Sequence, residues 1–409
     1  MTFVKGMSCR ECGRSYPVQA QQVCEWCFGP LEVVYDYEAA SREMTPEQIA
    51  SRPPTLWRYW PLLPAEAEGA IDLGAGYTPL VRADRLAAEL GLGELWVKND
   101  GLQPTGSFKD RVVSVALTVA RDMGCKVAAC ASTGNLANSV AAHAALAGMS
   151  SIVFVPADVE PAKLRATAVY GGTLVAVEGD YDHVNRLCAE LLGDHPDWAV
   201  VNVNLRAYYS EGSKTLAFEV AEQLGWAAPD HVVVPIASGS QLTKIHKGFG
   251  ELAEVGLLAE KPSVRISGAQ PKGCSPVATA FAEGSRRIKP VRPSTVAKSL
   301  AIGDPADGVY AVDVVRSTGG AIESVTDEEI VEGIRLLART EGIFTETAGG
   351  VTVAVLAKLA AAGVVRSDER VVCYVTGTGV KTVDALGPAA GPTFTIPPSV
   401  EAFNRLVET

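Results

Sequence analysis

One lysine stands where its amine could do covalent chemistry. Lys109 lies in the run Pro104-Thr105-Gly106-Ser107-Phe108-Lys109-Asp110-Arg111, between a strand-like segment and a helical one. Ser107 is a good N-cap, and Asp110 gives an aspartate variant of the capping box. The pattern predicts that Lys109 lies in the first helical turn, where the helix dipole lowers its pKa. A neutral lysine amine can react with a carbonyl cofactor, whereas an arbitrary lysine at a helix start is simply solvated.

Three further small-residue loops could bind the same ligand. We expect each to follow a strand and to open a helix: Ala131-Ser132-Thr133-Gly134-Asn135, Ala237-Ser238-Gly239-Ser240-Gln241 and Thr376-Gly377-Thr378-Gly379. Small residues let the backbone approach a ligand, and free N–H groups at a helix start bind anions. The second loop is the best phosphate site, because it carries hydroxyls and no carboxylate, although alone it could be an ordinary turn. With Lys109, Asn135 and Thr376, it suits pyridoxal phosphate.

Several other sites can be excluded. The sequence has no G-x-G-x-x-G with an acidic residue about 20 positions later, no Walker loop, no Gly-x-Ser-x-Gly elbow and no His-Glu-x-x-His pattern. Its five histidines do not cluster. The net charge of −11, without a run of basic residues, disfavours nucleic acid as a partner.

Four cysteines near the N-terminus form two Cys-x-x-Cys pairs. Cys9, Cys12, Cys24 and Cys27 have eleven residues between the pairs, and such pairs can place four thiolates around Zn²⁺. A disulfide pair is one alternative, which a cytosolic compartment disfavours. A redox Cys-x-x-Cys is another, which the lack of a strand-to-helix context disfavours. We predict a structural zinc site, or a degenerate relic of one, without a catalytic role.

The composition suits a soluble α/β protein, and we expect it in the cytoplasm. Of its 409 residues, 47% are hydrophobic and 20% charged. No apolar run of about 18 residues is free of charges or turn formers, so no membrane segment is expected. The chain does not begin with a basic segment followed by an apolar one, so we expect no secretory signal.

The elements that must position these loops alternate between strands and helices. Strands are predicted at Leu95–Lys98, Val127–Ser132, Ser151–Val155, Thr173–Val177, Trp198–Val203, His231–Ile236, Val264–Ala269 and Arg370–Val375. Helices are predicted around Thr45–Ala50 and at Phe108–Met123, Asn135–Ala147, Pro161–Tyr170, Tyr181–Leu192, Lys214–Leu224, Leu242–Val255, Asp327–Thr340 and Gly350–Ala362. The alternation predicts doubly wound α/β sheets, in which ligands bind beyond the carboxyl ends of strands. We divide the chain into a cysteine module at 1–35, a connector at 36–75 and an α/β region at 76–409.

The lysine run resembles the cofactor-lysine motif of fold-type II pyridoxal-phosphate enzymes. Within that group the chain most resembles the threonine synthases. The motifs that carry the resemblance run from about Gly76 to Leu386 and are Thr78-Pro79-Leu80, Ala131-Ser132-Thr133-Gly134-Asn135, Glu211-Gly212-Ser213-Lys214-Thr215-Leu216-Ala217-Phe218-Glu219, Glu341-Gly342-Ile343-Phe344 and Thr376-Gly377-Thr378-Gly379. The lysine and Asn135 motifs are shared with threonine dehydratases and cysteine synthases. The Lys214–Glu219 segment and the Thr376 loop are more specific to threonine synthases.

The resemblance implies a fold and an activity. The fold would be two open, twisted, mostly parallel sheets with flanking helices, similar to the tryptophan synthase β subunit. A smaller subdomain at about 120–208 would be inserted in the larger one, and a zinc-ribbon-like module would precede both. The activity would convert O-phospho-L-homoserine and water into L-threonine and phosphate. Family members are homodimers, so a homodimer is implied.

The resemblance also implies a role for each candidate residue. Lys109 would bond to the cofactor aldehyde and then move protons. Asn135 would bind the phenolic oxygen of the cofactor, Thr376 its pyridine nitrogen, and Ser238, Gly239, Ser240 and Gln241 its phosphate. On the substrate side, Ser132 and Thr133 would face the carboxylate or phosphate, and Arg206 would clamp an anion.

The chain departs from the family pattern at four places. The loop at residues 237–241, called the anion loop below, reads Ala-Ser-Gly-Ser-Gln where many relatives have Gly-Asn-x-Gly-Asn. Leu136 stands where relatives have a threonine. This chain has Val380-Lys381-Thr382 where relatives usually have Leu-Lys-Asp, and Thr347 where they usually have a proline after Glu346. Three alternatives therefore stay open: β-replacement on an activated serine, dehydration of threonine or serine, and a binding module without activity.

Overall fold

The computed structural model describes residues 2–21, 23–132, 134–157, 161–178, 181–258, 262–387 and 394–407. Its strands, β1 to β13 in chain order, are Val4–Cys9, Ser15–Tyr16, Leu31–Tyr35, Leu80–Arg82, Glu94–Asn99, Val127–Ala131, Ser150–Pro156, Thr173–Val177, Trp198–Val200, His231–Pro235, Arg265–Pro271, Ile322–Val325 and Arg370–Val375. Its α-helices, α1 to α15, are Tyr37–Ser41, Pro46–Ser51, Asp84–Leu90, Lys109–Asp122, Asn135–Ala147, Pro161–Ala168, Tyr181–Asp194, Arg206–Glu211, Thr215–Gln223, Ser240–Glu254, Pro276–Ala282, Gly308–Thr318, Asp327–Glu341, Thr347–Ala361 and Val400–Val407.

The two larger sheets confirm the predicted fold class. One sheet has the order β12-β11-β10-β13-β5-β4, and only its edge strand β4 runs antiparallel to its neighbour. The other is fully parallel, with the order β8-β7-β6-β9. The central strand β10 is buried along its whole length, as expected for a parallel strand covered by helices on both faces.

A third, small sheet belongs to the N-terminal module. Strands β1, β2 and β3 pair antiparallel in the order β2-β1-β3. The buried side chains Met7, Val33 and Tyr35 join the same hydrophobic core as α4 and α5. The module therefore packs onto the α/β region and shares its core.

All eight predicted strands are present, although some bounds differ by several residues. Sequence patterns missed five strands, namely β1, β2 and β3 of the small N-terminal sheet and the short strands β4 and β12 at the two edges of the larger sheet. Edge strands carry weak signals because fewer of their residues are buried. The proposed division at residues 35, 75 and 120–208 remains a prediction. In the part of the chain that is described, no helix is long and apolar enough to cross a membrane.

One predicted junction is wrong. The loop that begins at Thr376 does not open an α-helix but a short 3₁₀ turn, Gly379–Lys381. A second 3₁₀ turn, Val383–Leu386, follows it and ends at Gly387, whose φ is 81°. The polypeptide after Thr376 is thus a compact run of turns beside the site.

Candidate active site

Lys109 is the first residue of α4, but its surroundings differ from the prediction. The N-cap is Phe108, which makes no side-chain cap hydrogen bond, so the capping box expected from Ser107 is wrong. Asp110 instead accepts hydrogen bonds from the backbone N–H and the hydroxyl of Thr105, at 2.7 Å each. This carboxylate therefore braces the loop before the helix.

Burial favours the neutral form of the Lys109 amine. Protein atoms surround the side chain, although it keeps some exposure, as a group on the floor of a cleft does. Burial lowers the pKa of Lys109 to about 8, while the charge of Glu346 opposes the shift. The Lys109 Nζ atom donates to the hydroxyl oxygen of Tyr209 at 2.9 Å. Desolvation is thus the main cause of the lowered pKa of Lys109, whereas the sequence analysis predicted the helix dipole as the cause.

Backbone hydrogen bonds join the lysine loop to the Thr376 loop. The Phe108 N–H donates to the Thr376 carbonyl at 2.9 Å, and the Thr378 N–H donates to the Gly106 carbonyl at 3.0 Å. Gly106 has a φ of 77°, and a Cβ there would lie 2.9 Å from the Thr378 side chain. The close approach of these loops therefore requires glycine.

A buried carboxylate that was not predicted as a site residue joins Asn135 to Thr376. Glu346 accepts a hydrogen bond from Asn135 Nδ2 at 2.8 Å and another from the Thr376 hydroxyl at 3.0 Å. Burial raises the pKa of Glu346, and its two donors and nearby cations oppose the rise. Lys381 donates to Asn135 Oδ1 at 3.0 Å, which completes the network. Asn135 and Thr376 are therefore held in fixed orientations by Glu346.

Two of the departures from the family pattern compensate each other. The N–H of Thr347, where proline is usual, donates to the hydroxyl of Thr382, where aspartate is usual, at 3.2 Å. Proline has no N–H, so this hydrogen bond is possible only because residue 347 is a threonine. This pair concerns the start of α14 and gives no ground for a different substrate.

The anion loop has the features that a phosphate requires. Gly239 has a φ of 95°, and α10 begins at Ser240 without a side-chain cap and without acidic residues in its first turn. Gln241 Nε2 is buried and has no hydrogen-bond partner among the described residues. An unpaired buried donor is costly unless a ligand accepts from it. The loop therefore fits a phosphate group.

The structure brings Arg206 to this loop through Asp307. Arg206 Nη2 lies 2.6 Å from Asp307 Oδ2, and the Asp307 N–H donates to the Ser238 carbonyl at 2.8 Å. Ser132 lies at the end of β6, where its hydroxyl accepts from the Gly134 N–H at 3.3 Å. Thr133 lies outside the described residues. Arg206 is thus paired with a carboxylate and could clamp an anion only by sharing or exchanging that partner.

The sheet topology explains why these loops meet. Strands β10, β13 and β5 are parallel neighbours, so the anion loop, the Thr376 loop and the lysine loop leave the same edge. The Asn135 loop leaves β6 of the other sheet and meets them through Glu346 and Lys381. All four loops therefore lie beyond the carboxyl ends of strands, where ligands of open α/β folds bind.

Tyr209, Glu346 and Lys381 are site residues that the sequence reading did not assign. Glu346 follows the Glu341–Phe344 motif closely, so that motif was the available signal. Tyr209 reaches Lys109 from a position 100 residues away, and no local pattern marks it.

The four N-terminal cysteines form one cluster. Their Sγ atoms all lie within 4.8 Å of one another, with Cys9 and Cys27 at 3.4 Å and Cys12 and Cys24 at 3.7 Å. Four thiolates at about 2.3 Å from a tetrahedral Zn²⁺ would be about 3.8 Å apart. All four are free cysteines, so no disulfide joins them. The cluster geometry fits a tetrahedral metal site.

Comparison with known proteins agrees with this geometry. The family described as "Pyridoxal-phosphate dependent enzyme" matches residues 71–377. In solved structures, the diaminopropionate ammonia lyase of Escherichia coli shares the fold with a TM-score of 0.65, at 20% identity over 78% of this chain and 89% of that one. The chain therefore belongs to the pyridoxal-phosphate-dependent enzymes.

Sequence relatives narrow the family further. A threonine synthase of Methanocaldococcus jannaschii is 40% identical over 92% of this chain and 93% of its own. A threonine synthase of Methanosarcina acetivorans is 38% identical over 91% of each chain. Within the enzymes that use this cofactor, the chain is a member of the threonine synthases.

Proposed function

We propose that this chain holds pyridoxal phosphate at Lys109 and converts O-phospho-L-homoserine and water into L-threonine and phosphate. The observation that carries the proposal is the partly accessible Lys109 amine with a pKa of about 8. It lies at the meeting point of loops whose donors match the cofactor. The 40% identity to a threonine synthase supports the choice of reaction.

Each candidate cofactor residue has a chemical reason for its role. Gln241 Nε2 and the open start of α10 would bind the cofactor phosphate. Asn135 Nδ2 carries two protons and gives one to Glu346, so the other is available to a ring oxygen. The Thr376 hydroxyl donates to Glu346, so it would act toward a ring nitrogen only as an acceptor, which requires that nitrogen to carry a proton. When bound, pyridoxal phosphate supplies an electron sink for the charge that develops on a deprotonated substrate carbon.

Lys109 is the group that moves protons. With a pKa of about 8, its amine is populated in both the neutral and the charged form near neutral pH. It can therefore take a proton from one substrate carbon and return one to another. The Tyr209 hydroxyl, at 2.9 Å, orients the Nζ atom, and burial raises the pKa of Tyr209, which keeps that hydroxyl neutral.

Three residues are candidates for binding the carboxylate or phosphate of the substrate. We propose Ser132, Thr133 and Arg206 as substrate-binding residues, on the basis of the family resemblance. Arg206 keeps 26% of its side chain exposed while pairing with Asp307. An arriving dianion would compete with Asp307 for the Arg206 guanidinium.

We also propose a structural zinc held by Cys9, Cys12, Cys24 and Cys27. Four thiolates fill a tetrahedral shell and leave no open position, so this metal has no part in the chemical steps. We further propose that the protein works as a homodimer in the cytoplasm. The free state of all nine cysteines fits a reducing compartment.

The decisive experiment is an assay of both products. The purified protein, loaded with pyridoxal phosphate, is mixed with O-phospho-L-homoserine, and threonine and phosphate are measured. We expect equal amounts of the two, and no activity in Lys109→Ala. Lys126→Ala is the matched control, because Lys126 is an exposed lysine just beyond the other end of α4.

Other outcomes would identify other functions. Phosphate without threonine would refute the synthase activity. Formation of 2-oxobutanoate from threonine would favour a dehydratase. A wild-type protein that develops no long-wavelength absorbance band with pyridoxal phosphate would be a binding module.

A further inference from the structure

The first cysteine pair touches the helix that borders the anion loop. Arg10 and Glu11 lie between Cys9 and Cys12 and face the N-terminal end of α12. The Tyr310 hydroxyl of α12 donates to Glu11, and the Arg10 guanidinium stacks on the Tyr310 ring, 4.0 Å from its centroid. The cysteine cluster is therefore in contact with the catalytic region through two consecutive side chains.

Arg10 also reaches the charged groups around the anion loop. Its Nη1 atom lies 4.0 Å from Asp307 Oδ1, and its Nε atom lies 3.6 Å from Glu32. Glu32 in turn pairs at 3.0 Å with Lys244, which lies one helical turn after the start of α10. The side chains of Arg10 and Asp307 are only 19% and 7% exposed. Solvent therefore screens this group of charges weakly.

Asp307 transmits its position directly to the anion loop. Its N–H donates to the Ser238 carbonyl at 2.8 Å, and its carbonyl oxygen lies so near Gly239 that a Cβ there would approach to 2.6 Å. The Asp307 carboxylate is shared between Arg206 at 2.6 Å and Arg10 at 4.0 Å. Any displacement of Asp307 therefore moves Ser238 and Gly239.

The Arg10 backbone is fixed by the cysteine module. The Arg10 N–H donates to the Pro30 carbonyl at 3.0 Å, and the neighbouring Cys9 N–H donates to the Arg14 carbonyl at 2.9 Å. Cys9 belongs to the cluster of four thiols, so a bound metal would hold this segment in place.

We propose that Arg10 is a positioning residue of the cofactor-phosphate site, acting through Asp307 on the Ser238–Gln241 loop. The cysteine module would then contribute to cofactor binding without touching the cofactor. This inference rests on the proposed function, because it takes the Ser238–Gln241 loop to be the phosphate site.

The test compares two arginines of the same module. Arg10→Ala removes the contact to Asp307. Arg14→Ala is the matched control, because Arg14 also stacks on an aromatic ring, that of Trp26 at 5.0 Å, but is exposed to solvent. Each protein is freed of pyridoxal phosphate and titrated with it, and the long-wavelength absorbance band gives the dissociation constant. We expect about a tenfold rise for Arg10→Ala and less than a twofold change for Arg14→Ala.

A double-mutant cycle shows whether Arg10 acts through Asp307. In an Asp307→Asn background, we expect Arg10→Ala to change the dissociation constant less than twofold, because its partner charge is already gone. An additional tenfold rise in that background would overturn the proposal. Equal cofactor affinity of Arg10→Ala and Arg14→Ala in the wild-type background would also overturn it.

Two measurements distinguish the loss of the Arg10 contact from a general loss of structure. Arg10→Lys keeps the charge but lacks the planar guanidinium, and we expect an affinity between wild type and Arg10→Ala. Loss of cysteine-bound metal from Arg10→Ala, but not from Arg14→Ala, would overturn the proposal, because the module itself would then have failed. Failure of the proposed function would look different: wild type would show no cofactor band, and both proposals would fall.

Discussion

Arg111, two residues after Lys109, should be the most sensitive structural residue of the candidate site. Its side chain is fully buried and pairs with Asp100 at 2.7 Å and with Glu219. It also donates to the hydroxyls of Thr78 and Thr215, at 3.0 Å each. One guanidinium thus ties α4 to the end of β5 and to α9, and so fixes the loop that carries Lys109.

Replacing Arg111 by methionine unbalances a neutral buried cluster. Arg111 and Lys98 are the two cations that face Asp100 and Glu219, so the variant leaves one carboxylate charge buried without a partner. Breaking a buried pair by removing one partner costs about 3–5 kcal/mol. For a protein of this size we expect the melting temperature to fall by about 5 °C.

The folding stability should also depend on pH because of Glu219. Burial alone would raise the pKa of Glu219, but Arg111 and Lys98 hold it at about 2. In wild type this depressed pKa gives stability above pH 4.5, the ordinary value, which is lost as the pH falls toward 2. Without Arg111 the pKa of Glu219 must rise. The difference in stability between Arg111→Met and wild type should therefore shrink as the pH falls from 7 to 4.

Thermal unfolding followed by circular dichroism, at pH 7 and at pH 4, measures both effects. The matched control is Arg121→Met, on the same helix, because Arg121 is 40% exposed and its pairing with Asp122 is a surface one. Surface pairs contribute about 0–1 kcal/mol. A melting temperature of Arg111→Met within 1 °C of that of Arg121→Met at pH 7 would refute the reasoning, since on this argument they differ by roughly 5 °C.

Three further predictions concern the ligand sites. Gly239→Ala should weaken cofactor affinity about 10–100-fold, because its Cβ would lie 2.6 Å from a backbone oxygen. The control is Gly319→Ala, which is also at positive φ but has open space around it, so it should lose some stability and keep its affinity. Titration with pyridoxal phosphate measures the affinity of both variants. The rate at which Lys109 reacts with the cofactor should rise as the pH passes about 8 and then level off. Glu346→Gln should move this pH profile to lower pH, since the charge of Glu346 raises the pKa of Lys109. A move to higher pH would contradict the assignment. Cys24→Ser should lower the zinc content measured by atomic spectrometry, whereas serine at a cysteine outside the cluster should leave it unchanged.

The reactive lysine could be predicted because its signals are local. A strand, a glycine turn and a helix start follow one another around Lys109, and the parallel strands bring this loop to the same sheet edge as the anion loop and the Thr376 loop. The cause of its lowered pKa could not be predicted, because burial depends on side chains from distant elements. The sequence suggested the helix dipole, and the structure assigns the effect chiefly to desolvation.

Glu346 shows why part of the site was missed. It meets Asn135 across 211 residues and Thr376 across 30, so no periodic pattern links the three. The pairing of Arg206 with Asp307 could not be predicted for the same reason, since Asp307 lies 101 residues further along the chain. Local chemistry can be read from a sequence, whereas the carboxylates that orient it come from the tertiary fold.

The contact between Glu11 and Tyr310 has a consequence for the order of events during synthesis. The two residues are 299 positions apart, so the N-terminal module leaves the ribosome long before α12 exists. Chains emerge at about 5–20 residues per second, which leaves a delay of roughly 15–60 s. During that interval the four cysteines are available to metal while the surface they will cover is unmade. The contact between Glu11 and Tyr310 can therefore form only after α12 has been made, and α12 follows three of the four candidate loops and precedes the one at Thr376.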